Sequence, residues 1–357
     1  MKRLLPIFIL FFLSCNLFED DSPSSQKLIY VYEYNNPDRS RGRELHIIDI
    51  HGNSKKMLED ENNFLSAVDI SADGNTVYYR MNTGKLMEVD INGNNKKEIE
   101  IDDKYNVMRD GFFHYSNRVL IAGQLEAGGD STDIGIYDLE SHKITNLTKG
   151  RGRGYNAQPY ISPDDSKIVF ISIEWGINNF GLYTVDSTGE NFMHIATELG
   201  PAYMPQFSPD GSKILFEVLS TDEKGGIYII NSDGTGLLPL VTHDTCSYLL
   251  NWSVRNSFSA DGKTVVYRAG CNESGTTIGT IDVDGSNKWI FNNKDDKWFN
   301  VNQYPVISPD GKYVVFVGLY EDGFDLIRLR VYGDDIKNLT KNDNPNDSHW
   351  WPWFVPN

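Results

Sequence analysis

Only three cysteines occur in 357 residues, at Cys15, Cys246 and Cys271, too few for stability to rest on a disulfide framework. Basic residues are also scarce: 33 Lys and Arg stand against 50 Asp and Glu, a net charge of -17. Apart from Arg39, Arg41 and Arg43 no basic cluster occurs. Nucleic acid binding is therefore excluded, because neutralising phosphates needs a basic surface. The same acidity argues against the body lying on an anionic bilayer. Long apolar runs are missing too. The run from Leu4 to Leu13 is too short to span a bilayer as a helix. No G-x-S-x-G nucleophile elbow is present, and the Gly-rich stretch Gly150–Gly154 lacks the serine.

What the chain does contain is a repeat. A strand–turn–strand phrase recurs as ISADGNTVYY from Ile70, ISPDDSKIVF from Ile161, FSPDGSKILF from Phe207, FSADGKTVVY from Phe258 and ISPDGKYVVF from Ile307. A second phrase, one strand ending in a polar turn, follows each: MEVDING from Met87, LYTVDSTG from Leu182, IYIINSDG from Ile227, GTIDVDG from Gly279 and RLRVYGDD from Arg328. Four short strands per unit, at a period of roughly 40–50 residues, mark a β-propeller. Anchoring each second strand on Ile29, Val77, Val119, Ile168, Ile214, Val265 and Val314 gives seven blades. HYSNRVLIAG from His114 is a degenerate copy that has lost the Pro-Asp-Gly turn.

The remaining unit is split. PWFVPN, from Pro352 to Asn357, matches PQFSPDG from Pro205 cut off at the turn, and LIYVYE from Leu28 matches the strand that should follow. The expected fold is all-β: a seven-bladed propeller of four-stranded antiparallel blades, closed by pairing of the N- and C-terminal strands in one shared blade. Asp-Gly and Pro-Asp-Gly turns supply the backbone angles that tight hairpins need. The recurring Asp73, Asp164, Asp210, Asp261 and Asp310 are read as turn carboxylates accepting backbone N–H bonds rather than as calcium ligands.

At the N-terminus, Lys2 and Arg3 precede the apolar run and then Ser14-Cys15. Phe12-Leu13-Ser14-Cys15 resembles a bacterial lipobox, which implies cleavage before Cys15 and its acylation. The expected organisation is a lipoprotein signal peptide over 1–14, a lipidated cysteine and flexible tether over 15–27, and the propeller over 28–357. Asn16 after the cysteine resembles outer-membrane sorting, and Glu19-Asp20-Asp21 resembles a surface-export signal. Cys246 and Cys271 are placed in two loops on one face of the sixth blade, where an oxidising compartment would join them as a disulfide.

FSPDGSKILF, then IYIINSDG and L-V-T, resembles the TolB-type propeller repeat, and Asn146-Leu147-Thr148 and Asn338-Leu339-Thr340 match the Leu-Thr that ends such units. TolB itself has six blades and an added N-terminal α/β domain, so the resemblance implies fold and an envelope setting, not TolB's partner. Similar repeats occur in dipeptidyl- and oligopeptidases, as a gate before a hydrolase domain. They also occur in oligogalacturonate lyases, which hold a metal with histidines and a glutamine in a seven-bladed channel. Under that alternative His243 and His349 would be the ligands, with Gln158 and Gln303 nearby; the constellation is incomplete.

Binding is expected on the face where the inner strands begin, because its loops are long and varied while the opposite turns are short and repetitive. The candidates are Tyr155, Asn156, Gln158, Tyr203, Trp252, Arg255, Gln303, Tyr304, His349 and Trp350. Aromatic rings with amides and a guanidinium suit a protein, peptide or glycan. Trp353 is read as core. The reading is a monomeric, non-catalytic outer-membrane lipoprotein, periplasmic or surface-exposed, that needs no cofactor. A polysaccharide-active enzyme is the alternative.

Overall fold

The computed structural model describes residues 26–355 apart from 36–40, 59–63, 82, 103–104, 126–131, 150–153, 175–178, 197–198, 220–223, 243–245, 250–256, 272–274, 292–297, 321–322, 334 and 342–346. Among them are 28 strands and no α-helix. The first three are β1 (Lys27–Asn35), β2 (Arg41–Asp49) and β3 (Ser54–Leu58). One meander holds β4 (Phe64–Ile70), β5 (Thr76–Met81), β6 (Leu86–Asp90) and β7 (Lys97–Ile99). The next holds β8 (Asn106–Phe112), β9 (Arg118–Gly123), β10 (Asp133–Asp138) and β11 (Ile144–Asn146). Then come β12 (Gly154–Ile161), β13 (Lys167–Glu174), β14 (Asn179–Asp186) and β15 (Met193–Ile195). They are followed by β16 (Ala202–Phe207), β17 (Lys213–Val218), β18 (Gly226–Asn231) and β19 (Leu238–Thr242). Next are β20 (Cys246–Leu249), β21 (Thr264–Cys271), β22 (Gly275–Asp282) and β23 (Trp289–Ile290). The last are β24 (Trp298–Ile307), β25 (Tyr313–Tyr320), β26 (Gly323–Arg330), β27 (Ile336–Asn338) and β28 (Ser348–Phe354).

Hydrogen bonds sort these into five four-stranded sheets and one eight-stranded sheet. The larger sheet has the order β24-β25-β26-β28-β1-β2-β3, with β27 on β26. Its two halves meet at a single parallel pair, Phe324 with Ser348. One half is therefore a meander like the others. The other half takes its first strand, β28, from the C-terminus and its remaining three from the N-terminus. β28 runs antiparallel to β1, with Trp353 opposite Ile29 and Phe354 opposite Leu28.

Six of the second strands are buried on both faces, as expected for a sheet sandwiched between neighbours, whereas β5 alternates buried and partly buried residues. Ile29, Val77, Val119, Ile168, Ile214, Val265 and Val314 are all fully buried. Trp353, Phe354 and Val355 join one core cluster with Leu28, Ile29 and Leu45. That cluster also takes Val77 and Tyr79 from β5, and Val315, Val317 and Leu326 from β25 and β26. The split unit thus packs on the meanders at both ends of the chain.

The recurrent turn carboxylates do structural work. Asp73, Asp164, Asp210, Asp261 and Asp310 each accept the hydroxyl of the serine two residues earlier at 2.5–2.7 Å. Each also accepts the backbone N–H two residues later at 3.0–3.1 Å. Asn-Leu-Thr has a comparable role. Asn146 Nδ2 and Thr148 Oγ1 donate to Asp133 at 3.0 and 3.1 Å, while Leu147 is buried. Asn338 and Thr340 repeat this on Asp325 at 2.7 and 3.3 Å.

Removing residues 350–357 deletes most of β28 and its part of the shared core. Such a chain should melt far below the parent, and Trp353→Ala alone should cost about 3–5 kcal/mol. Thermal or urea denaturation checks both, and a truncated chain that melts like the parent would contradict the pairing.

Candidate functional site

In every meander the first-to-second and third-to-fourth connections lie at one end of the strands, and the other connections at the opposite end. The second end, here the upper face, carries the sequence-derived candidates. Trp252, Arg255 and His243 lie outside the described residues.

The others gather in two groups because of a shared backbone feature. Gln158, Met204, Tyr304 and Trp351 each precede a proline in a first strand, and each has φ between 52° and 53°. Pairing with the second strand breaks there, between Ala157 and Tyr160, Tyr203 and Gln206, and Gln303 and Val306. In β28 the break falls opposite Ile29–Val31. Proline has no N–H to give the ladder, so an extra residue is absorbed at this point as a bulge. The bulge re-aims the side chains beside it, at the cost of a left-handed non-glycine residue.

The first group joins β12 to its neighbours. Gln158 Oε1 accepts the Met204 N–H at 2.7 Å, tying β12 to β16. Asn156 donates its side-chain amide and its backbone N–H to the Thr132 carbonyl, at 2.9 and 3.1 Å. Its Oδ1 is buried and accepts no hydrogen bond. Tyr155 is half exposed, and Tyr203 is partly buried.

The second group lies at the seam between β24 and β28. Tyr304 meets Trp350 and Trp351 edge-on, both at 6.3 Å between ring centres. Trp350 also lies 4.7 Å from Phe324, and the Arg43 guanidinium sits 5.8 Å over Trp351. Gln303, next to Tyr304, is partly buried opposite Val317. His349 is buried, with Nδ1 3.0 Å from the Phe324 carbonyl and 3.4 Å from Asp325, and its ring stacks on Tyr32 at 5.2 Å. It is a seam residue. Among the described residues no group of three His, Cys, Asp or Glu is arranged to hold a metal.

Two charged residues on these elements escaped the sequence reading. Glu217 and Arg268 occupy the fourth place of β17 and β21 from Ile214 and Val265; Ile171 and Val317 stand there in β13 and β25. Glu217 is buried. Burial pushes the Arg268 guanidinium below its ordinary value, opposed by the charges of Tyr304 and Glu217. Its Nε is buried without an acceptor. A charge at a repeat position that Ile171 and Val317 fill in other units was the available signal, one that Arg80 of β5 shares.

The cysteines are placed differently from expectation. Cys246 opens β20 and Cys271 closes β21, so both lie in strands rather than loops, and the ladder sets them directly opposite each other.

No protein-family model matches the chain. An uncharacterised protein of Agrobacterium fabrum is 27% identical over 147 residues, 41% of this chain and 44% of that protein. The chain's match thus spans less than half of that relative. Among solved structures, the β-propeller domain of the Trilobed protease from Pyrococcus furiosus aligns with a TM-score of 0.58 at 15% identity, covering 89% of this chain and 93% of that one. Oligogalacturonate lyase from Vibrio parahaemolyticus gives 0.57 at 14% identity, over 81% and 87%. TolB from Acinetobacter baumannii gives 0.48 at 15%, over 92% and 83%. The fold is a β-propeller.

Burial also lowers the titration of His46 and His194 from the ordinary 6.5. Both are favoured neutral in the folded chain, so the stability they contribute is present above pH 6.5 and lost as pH falls below it. Hydrogen bonds from Ser71, Ser162, Ser208 and Ser259 hold Asp73, Asp164, Asp210 and Asp261 below 3.8. Their contribution is lost as pH falls further through the folded values. The melting temperature should therefore decline in two stages on acidification, first below neutrality and then below about pH 4. A flat melting temperature from pH 7.5 to 5 would contradict the histidine stage.

Proposed function

We propose that this chain is a seven-bladed propeller whose ring is closed by β28 on β1, exported and held in the outer membrane by a lipid on Cys15. It binds a protein, peptide or glycan partner through its upper face. Six contiguous meanders and the split unit support the blade count, and the β1–β28 register supports closure. The observation that carries the binding reading is the left-handed residue before proline in four first strands. The repeated bulge breaks the ladder at the same place in each of these first strands and re-aims the amides and rings beside it at the upper face. The buried Asn156 Oδ1 and the buried Arg268 Nε offer hydrogen-bonding capacity that the chain itself leaves unused.

A photo-crosslinking residue at Tyr155 should give a discrete adduct in envelope extracts, and the adduct should disappear with Tyr203→Ala. The same probe at exposed Leu238 should give none. Equal labelling from both positions would defeat the upper-face reading. Replacing Cys15 with Ser should move the protein into the soluble fraction; retention on membranes would refute the anchor.

An exported chain would also meet an oxidant. Residues directly opposite in an antiparallel ladder have Cα atoms about 4.5–5.5 Å apart, inside the range a disulfide spans. Cys246 and Cys271 are therefore proposed to be joined. Intact mass after alkylation without reductant should show no modified thiol at either, and two modified thiols would rule the bond out.

A further inference from the structure

The degenerate copy of the repeat leaves a cleft on the lower face, opposite the proposed binding surface. Elsewhere on that face successive hairpins touch. A side chain added at Gly211 or Gly262 would meet the proline ring of the preceding turn, Pro163 or Pro209, at 3.5 Å. Between β4–β7 and β8–β11 this contact is missing. The β4–β5 turn has Ala72 where Pro163, Pro209 and Pro309 stand in three others, and the β8–β9 turn is His114-Tyr115-Ser116-Asn117. There His114 takes the proline's place and Tyr115 that of the turn aspartate, 78% exposed.

The gap is a cavity of about 410 Å³. Phe112 and Tyr78 form its apolar wall, stacked 3.7 Å apart and nearly parallel. Ser116 and Asn117 supply hydroxyl and amide groups, while the Ser71 hydroxyl is engaged by Asp73 and Thr76, and Tyr115 lines the cavity as well. No Asp, Glu, Lys or Arg lines it, in a chain that is 23% charged. Its histidine, His114, is engaged by Asp165 at 2.8 Å. A second cavity of about 380 Å³ shares Tyr78, Phe112, Ser116 and Asn117 and runs outward to the rim. Its charged lining is mainly acidic, with Glu88, Glu98, Glu100 and Glu140 against Lys97.

These features select a ligand class. An anion finds no cation in the inner cavity and carboxylates on the way out. A lipid or other apolar ligand would strand the serine and asparagine groups. A neutral polyhydroxylated ring meets hydroxyl and amide partners on its edges and an exposed aromatic face for its C–H surface. We infer that this cleft is a binding site for a neutral oligosaccharide, with one pyranose ring on Tyr115 and the chain leading outward along the second cavity.

The test is calorimetric titration of the full chain with a panel of neutral oligosaccharides (cellohexaose, maltohexaose, mannohexaose, laminarihexaose), with trigalacturonate as the anionic control. At least one neutral member should bind, and trigalacturonate should not displace it. Tyr115→Ala should weaken binding about tenfold or more, while Tyr115→Phe keeps the stacking face and should stay within about twofold. Tyr115 is exposed, so neither change threatens folding, and matching melting curves will check this. Tyr203→Ala on the upper face should leave the affinity unchanged, which separates this site from the other one. Absence of binding across the neutral panel, an unchanged affinity in Tyr115→Ala, or displacement by trigalacturonate would overturn the assignment.

Discussion

The structure depends on the pairing of β28 with β1. No four-stranded meander can bury both of its faces by itself, so stability in such a fold comes from stacking neighbours. The two outermost meanders, β4–β7 and β24–β27, need something between them. The split unit fills that place, and Trp353 and Phe354 reach the same core cluster as Val77 on one side and Val317 on the other. The ladder between β1 and β28 links residues more than 300 positions apart in sequence. Polar contacts follow the same seam: the Tyr32 hydroxyl donates to Asp347 at 2.7 Å, and Arg328 reaches the Ile50 carbonyl at 3.2 Å.

Strand order was legible because the repeat carries it. Apolar residues at Ile29, Val77, Val119, Ile168, Ile214, Val265 and Val314 predict second strands, and all seven are buried there. The half-motifs at the two ends predict one meander, and Trp353 and Phe354 fall opposite Ile29 and Leu28. Leu-Thr at the ends of units has a physical meaning that the letters alone did not give. The leucine fills the core, while asparagine and threonine satisfy one buried carboxylate on the third strand.

The candidate surface was legible only in part. A period fixes which strands pair, but not where a strand takes in an extra residue, and a one-residue shift moves every later side chain to the other face. The proline after Gln158, Met204, Tyr304 and Trp351 was visible, yet its consequence depends on the ladder it interrupts. His349 reads in sequence as a candidate binding residue or metal ligand; in the fold it lies under Tyr32 against the Phe324 carbonyl. Cys246 and Cys271 read as loop residues because Cys246 stands far ahead of its hairpin turn at Asp261, a spacing that hides their pairing.

Departures from the repeat are more informative than the repeat, and Asp165 shows how one departure answers another. Its counterparts Gly74, Gly211, Gly262 and Gly311 have φ between 67° and 71°, a conformation that suits glycine. Asp165 adopts φ 60° despite its side chain, which costs roughly 1–2 kcal/mol for an L-residue and less for aspartate. In return its carboxylate accepts the N–H groups of His114 and Tyr115 and holds the His114 ring, each at 2.8 Å. Charged hydrogen bonds of this kind contribute about 1.5–3 kcal/mol each, so the bonds outweigh the strain. The hairpin that lost its own turn residues is thus held by the next one along. The opened cleft beside Tyr115 is therefore a supported feature of the fold, kept in shape by a carboxylate where a glycine would have been easier to accommodate.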